Sequence, residues 1–149
     1  MTTMTEQALT TQVYSVFIKA TPEQVWDAIT KPEFTEQYFY GQRIEISAEG
    51  RTWINNRGEL VTSGPIAEWD PPRRLVHGWR SMYDPEMAAE DESRVTWEIA
   101  PQEDGTTLLT VVHDKLDGAP KTAQSVSGTG WMLVLSGLKT LLETGERLA

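Results

Sequence analysis

The sequence predicts an α+β fold, a curved antiparallel β-sheet wrapped around a long C-terminal helix, with two short helices after the first strand. Three observations carry this expectation. Between Gln42 and Asp114 the apolar residues recur with a period of about 2, and turn residues separate the runs, as in short antiparallel strands. From about Thr122 to Glu143 the period becomes helical, with Trp131, Leu135, Leu138 and Leu142 on one face. An open sheet with one apolar face needs a cover, and this last helix is the only element long enough to supply it.

The elements follow in order. Residues 1–11 are polar, Thr-rich and unpatterned, so a disordered lead-in is expected before a single domain over 12–149. Tyr14, Val16 and Ile18 alternate with Ser15 and Lys19 in a half-buried strand. Thr21 to Gln24 is a helix start, with Thr as N-cap, Pro at the first helical position and Gln completing a capping box. Val25, Trp26 and Ile29 form its apolar stripe, and Pro32 ends it by pushing Lys31 out of the α region. Glu33 to Tyr38 makes one or two further turns. Ile44, Ile46 and Ala48 then alternate, Glu49 and Gly50 turn the chain, and Thr52 to Ile54 returns. After a turn at Asn55 to Gly58, a long strand runs from Glu59 to Trp69, interrupted by Gly64 and Pro65 at a bulge or edge. Leu75, His77 and Trp79 share one face of the next strand; Val95, Trp97 and Ile99, then Leu109, Val111 and His113, do so in two more. Gly145 is placed to cap the last helix. Gly137 interrupts its apolar repeat at a cost of about 1 kcal/mol relative to alanine, so a close approach of the helix backbone to sheet or ligand is expected there.

Composition mainly excludes. The chain has 149 residues, no cysteine, a formal charge of -9 and six tryptophans. Without cysteine there is no disulfide framework, thiolate nucleophile or Cys-ligated zinc. The negative charge repels phosphate backbones, so nucleic acid is not an expected partner. The first residues show neither a basic region nor an apolar core of a secretory signal, and no apolar run approaches the roughly 18 residues of a membrane span. A cytoplasmic protein that does not insert into membranes is expected.

The stretch from Tyr14 to Phe34 resembles the opening of START-like (SRPBCC) helix-grip proteins. Within them it is most similar to the family related to the C-terminal domain of the activator of the heat-shock-protein-90 ATPase. Asp70 to Val76, Ser93 to Trp97, Leu109 to His113, and Gly130 through Gly145 extend the resemblance over about residues 12–148. It implies a seven-stranded antiparallel sheet around the C-terminal helix with a cavity between them, which in the wider superfamily holds lipids, hormones or polyketides. It also implies a chaperone or other protein as a possible partner. A full-length activator carries a separate N-terminal domain that engages the chaperone, and 149 residues leave no room for it, so ATPase activation is not expected. His77 stands where the family pattern often has an aromatic residue, and Met132 where a proline often follows the helix tryptophan.

His77 and His113 are the only histidines, and strand parity points both inward. Each is either a hydrogen-bonded structural group or a polar contact or acid/base group in an apolar pocket. There is no H-x-x-x-H or H-E-x-x-H spacing for a metal and no G-x-S-x-G for a serine nucleophile. Neither metal nor cofactor is expected. Five acids between Asp84 and Glu92 lack the alternation and glycine of a calcium loop and read as a solvated connection. Trp26, Trp97 and Trp131 read mainly as core. Trp53, Trp69 and Trp79, with Tyr38, Phe39, Tyr40 and Tyr83, fall near turns or strand ends, where large rings either line a pocket or fill the sheet's hollow. The leading expectation is a noncatalytic protein binding a small apolar or aromatic molecule, with His77, Trp79, Trp97, His113, Trp131 and Leu135 lining the cavity. The alternatives are a cyclase- or hydrolase-type enzyme using a cavity histidine and a protein-interaction module, as monomer or homodimer.

Overall fold

Alternation decides the sheet. The computed structural model describes residues 10–82 and 84–148. In β8 (Thr107–Asp114) Thr107, Leu109, Val111 and His113 are buried and the residues between them half-exposed. β8 lies between β1 (Gln12–Ile18) and β7 (Ser93–Pro101), and the sheet continues through β6 (Arg74–Trp79) to β5 (Ile66–Asp70), all antiparallel. A second, three-stranded antiparallel sheet comprises β2 (Arg43–Ser47), β3 (Gly50–Ile54) and β4 (Leu60–Gly64).

The long strand expected over Glu59 to Trp69 is therefore two strands in two sheets, and the described strands number eight rather than seven. Pro65 sits at the break because it has no N–H to continue a ladder. Of the lead-in, residues 1–9 lie outside the described residues, and the Thr10 carbonyl accepts from the Leu116 N–H at 3.3 Å.

Helix α1 (Pro22–Thr30) starts on the expected capping box: Thr21 Oγ1 accepts from the Gln24 N–H at 3.1 Å, and Gln24 Oε1 accepts from the Thr21 N–H at 2.8 Å. Helix α2 (Pro32–Tyr38) follows directly. The acidic segment is more structured than a solvated connection. Asp84 caps a short α3 (Pro85–Ala88), and the Glu90 carboxylate accepts from the N–H groups of Lys121 and Thr122 and from the Thr122 hydroxyl. Glu90 thereby caps α4 (Pro120–Ser125), whose own N-cap residue, Ala119, has no side chain able to do so.

The C-terminal helix is not one regular rod. α4 runs into a π-helical turn at Val126–Gly130 and then α5 (Trp131–Thr144), which ends at Gly145 in the left-handed conformation, φ 79°. Gly128 and Gly130 lie in the widened turn, where the Trp131 N–H reaches back to the Val126 carbonyl. Gly137 does mark a close approach, but to helix α2: a Cβ there would stand 3.1 Å from the Tyr38 Cβ. Trp26 and Trp69 meet edge-on at 5.0 Å, and one apolar cluster continues from them through Val25, Ile29, Leu75, Val95 and Leu109 to Leu138 and Leu141. Among the described residues no helix is long and apolar enough to cross a membrane.

Candidate functional site: an aromatic cleft with a polar floor

Strand parity aims a series of large rings at the start of α5. Trp79 at the end of β6, Trp53 in β3, Trp131 at the start of α5 and Phe39 in the bend after α2 converge. Ring centroids are 5.0 Å apart for Trp53 and Trp79, 5.5 Å for Trp79 and Trp131, and 5.5 Å for Phe39 and Trp53. Edge-to-face and tilted contacts of this kind leave faces open where the cluster stops, and here it stops at a cleft of about 690 Å³. Phe39, Tyr40, Trp53, Trp79, Trp131 and Val134 wall it. Its polar rim comes from the turn at Asn55–Arg57, from Arg80 and Ser81 after β6, and from Gln42. That volume lies within the roughly 300–1,000 Å³ range of small-molecule sites.

The rim is held in place by hydrogen bonds. Trp53 Nε1 donates to Gln42 Oε1 at 2.9 Å and Trp79 Nε1 to Ser81 Oγ at 3.1 Å. Tyr40, with φ at 54°, extends its hydroxyl to the Gly130 carbonyl at 3.0 Å, joining the α2–β2 bend to the π-helical turn. Arg80 Nη1 donates to the carbonyls of Ala88, at 3.0 Å, and Glu90.

Behind the rings lies a buried polar layer. An indole N–H can only donate, so the bond from Trp131 Nε1 to His113 Nδ1 at 3.1 Å fixes that ring's tautomer. Neutral His113 carries its proton on Nε2 and donates to Ser93 Oγ at 2.7 Å, and Ser93 donates to the Trp79 carbonyl at 3.3 Å. The same logic applies to His77. Trp97 Nε1 donates to its Nε2 at 3.0 Å, and its Nδ1–H donates to the Gly78 carbonyl at 2.8 Å.

Burial lowers the pKa of His77 to about 4, and the neighbouring Arg51 charge adds to the effect. Burial likewise lowers His113 to about 3, with His77 contributing. Each ring has one lone pair, and an indole N–H already occupies it.

Sequence reasoning missed Arg51. It is 4% exposed, donates through Nη1 to the Gly78 carbonyl, and holds Nη1 3.4 Å from His77 Nδ1. Its Nε has no partner. Burial pulls its pKa down while the Glu92 carboxylate pushes back. Register could have revealed it: Arg51 pairs with Ile46 as Trp53 pairs with Ile44, so all four face inward.

Of the six cavity residues expected from the sequence, Trp79 and Trp131 line the cleft. His77 and Trp97, with Trp79, line a separate hollow of about 10 Å³. His113 is packed behind the cleft against Trp79 and Trp131, at centroid distances of 5.6 and 5.9 Å. Leu135, 4% exposed, belongs to the apolar cluster and borders neither space. Among the rings expected near turns, Trp53, Phe39 and Tyr40 line the cleft, while Tyr83 lies outside the described residues. Among the described residues no group of three His, Asp or Glu side chains is placed to hold a metal.

The sequence profile of the family described as Activator of Hsp90 ATPase homolog 1-like protein matches residues 19–143. No curated protein matches the chain. Several solved structures share its architecture. A protein from Mesorhizobium loti aligns with a TM-score of 0.71 at 21% identity, covering 89% of this chain and 96% of that one. An HSP90 activator from Plasmodium falciparum aligns with a TM-score of 0.70 at 19% identity, covering 90% and 96%. The Aha1 dimer from Colwellia psychrerythraea aligns with a TM-score of 0.66 at 19% identity, covering 91% and 97%. At these identities the likeness is one of fold.

Proposed function

The chain belongs to the Activator of Hsp90 ATPase homolog 1-like family, and from that premise we propose that it is a noncatalytic cytoplasmic binding protein for a small apolar or aromatic molecule. The ligand occupies the cleft between the start of α5 and the ends of β3 and β6. One observation carries this reading: the cleft of about 690 Å³ is walled by the rings of Phe39, Tyr40, Trp53, Trp79 and Trp131. Flat rings offer a large apolar contact at little entropic cost, and the rim amides supply orientation.

The cyclase or hydrolase alternative is the weaker one. Both imidazoles are neutral near pH 7 and have both ring nitrogens engaged in the core. A general base needs a free lone pair within reach of the substrate.

Tryptophan emission tests the proposal. Titration with a panel of flat aromatic and aliphatic ligands should give a saturable change in emission, and Val61→Trp, which fills one wall of the cleft, should weaken binding by about tenfold or more. A panel that gives no saturable change, or binding untouched by Val61→Trp, refutes it.

A protein partner is the second reading, supported by the outer face of β1. Val13 and Phe17 are 60% and 55% exposed there, beside their cross-strand partners Val112 and Leu108. The HSP90 link of the structural relatives makes that chaperone the partner to try. Co-sedimentation abolished by the double substitution of Val13 and Phe17 by serine would support this reading, and its absence in the unaltered protein would remove it.

A further inference from the structure

The cleft has a sign of its own. The chain carries 22 acidic against 13 basic residues, yet the residues lining the cleft include two arginines, Arg57 and Arg80, and neither Asp nor Glu. The two differ. Arg57 is highly exposed and pairs through Nε with Glu59 at 3.0 Å, an arrangement of little energetic weight. Arg80 is half-buried. Its two described bonds both leave from Nη1 and go to main-chain carbonyls at the end of α3, which orient the guanidinium without neutralising it. Among the described residues no carboxylate lies within ion-pair distance of Arg80.

We propose that the molecule taken up by the cleft is an amphipathic anion, an aromatic or aliphatic body bearing one carboxylate or sulfonate, and that Arg80 holds the acidic group. This rests on the reading of the cleft as a ligand site and adds the ligand's charge. The rings of Trp53, Trp79 and Trp131 take the apolar body. The guanidinium at the rim meets an oxyanion beside low-dielectric walls, where a charge-assisted pair is stronger than in open water. A neutral or cationic head leaves Arg80 without a counter-charge or repels it. The overall charge of -9 acts against anions at long range, but it is screened beyond about 8 Å at physiological salt, so the lining governs the bound state.

A pair of probes with one ring skeleton tests this: 8-anilinonaphthalene-1-sulfonate and its uncharged parent, N-phenyl-1-naphthylamine. At about 0.15 M salt the sulfonate should bind about tenfold more tightly than the parent. Arg80→Gln should bring the two affinities within about twofold of each other without weakening the uncharged probe, Arg80→Lys should keep most of the preference, and Arg57→Gln should change it little. Equal binding of both probes by the unaltered protein overturns the proposal and leaves the cleft reading standing. A preference that survives Arg80→Gln removes Arg80 from it. Failure of both probes to bind defeats the cleft reading itself. Should Arg80→Gln fail to fold, the ratio in the unaltered protein and the Arg80→Lys variant still decide.

Discussion

The two histidines lie in one core and receive the same kind of bond, yet their surroundings differ. Around His113 every polar group is matched: indole to imidazole, imidazole to hydroxyl, hydroxyl to carbonyl. Around His77 the matching is incomplete. Its Nδ1–H and the Arg51 guanidinium both turn to the Gly78 carbonyl, so two donors face each other across 3.4 Å, and Arg51 Nε has no acceptor. The hollow of about 10 Å³ beside them holds one water at most. A saturated network rigidifies a core, whereas an unsaturated one charges it a penalty for each unmatched group. Trp131, tied to the saturated network, walls the cleft, while Phe39, Trp53 and Trp79 border both the cleft and the hollow beside His77, so the binding surface spans the two halves.

The largest expected effect sets both histidines against the unfolded chain. Their folded pKa values, about 4 and about 3, lie below the ordinary value, so below about pH 6.5 the unfolded chain binds more protons than the folded one. The stability contributed by the neutral rings is complete above that pH and is lost as pH falls toward the folded values. Each ring removes about 1.4 kcal/mol per pH unit, so from pH 7 to 4.5 the pair removes on the order of 5 kcal/mol. Asp114, held below the usual carboxylate range by its bond to Arg94, responds only at lower pH. Urea unfolding at half-unit steps reads the slope, and His77→Gln should remove about half of it. Stability that stays flat between pH 7 and 5 would mean that the rings are not held neutral.

A smaller effect separates the two sides. His113→Leu leaves the Trp131 N–H buried with no acceptor and should cost about 3 kcal/mol. His77→Leu strands the Trp97 N–H in the same way, but it also removes the donor that faces Arg51, and should cost about 2 kcal/mol. Urea midpoints of the two variants measure the difference. A loss at His77 as large as that at His113 would erase the distinction.

Much of this was legible. The capping box at Thr21, the helix break at Lys31 and Pro32, the inward parity of β6, β7 and β8 and the cap at Gly145 are local signals, and the structure realises each of them. Pro65 could be read as an interruption, but its sending the chain into a second sheet depends on partners far away in sequence. The π-helical turn was hidden because an inserted residue shifts helical phase without changing composition. Trp131, which the sequence places both in the core and among the cavity residues, is 2% exposed and bounds the cleft on one side; Trp69, one of the rings that either line a pocket or fill the sheet's hollow, packs on Trp26. Part of the remaining lining comes from Asn55–Arg57 and Arg80–Met82, outside the strands, where no periodicity exists to be read.

The smallest expected effect is the sharpest test of the unmatched side. Arg51→Met keeps a long unbranched side chain and removes a buried charge together with its orphaned Nε. The Gly78 carbonyl keeps the bond from His77, and Glu92, which is exposed, returns to water at little cost. Replacing a poorly compensated buried ion by an apolar chain of similar volume is often neutral or stabilising. Arg51→Met should therefore leave stability within about 1 kcal/mol of the unaltered protein and, without the facing charge, raise the pKa of His77. Urea unfolding and the imidazole NMR titration report on the two consequences separately. A loss beyond about 2 kcal/mol, with the titration unmoved, would show that the guanidinium is matched after all and that both halves of the core are saturated.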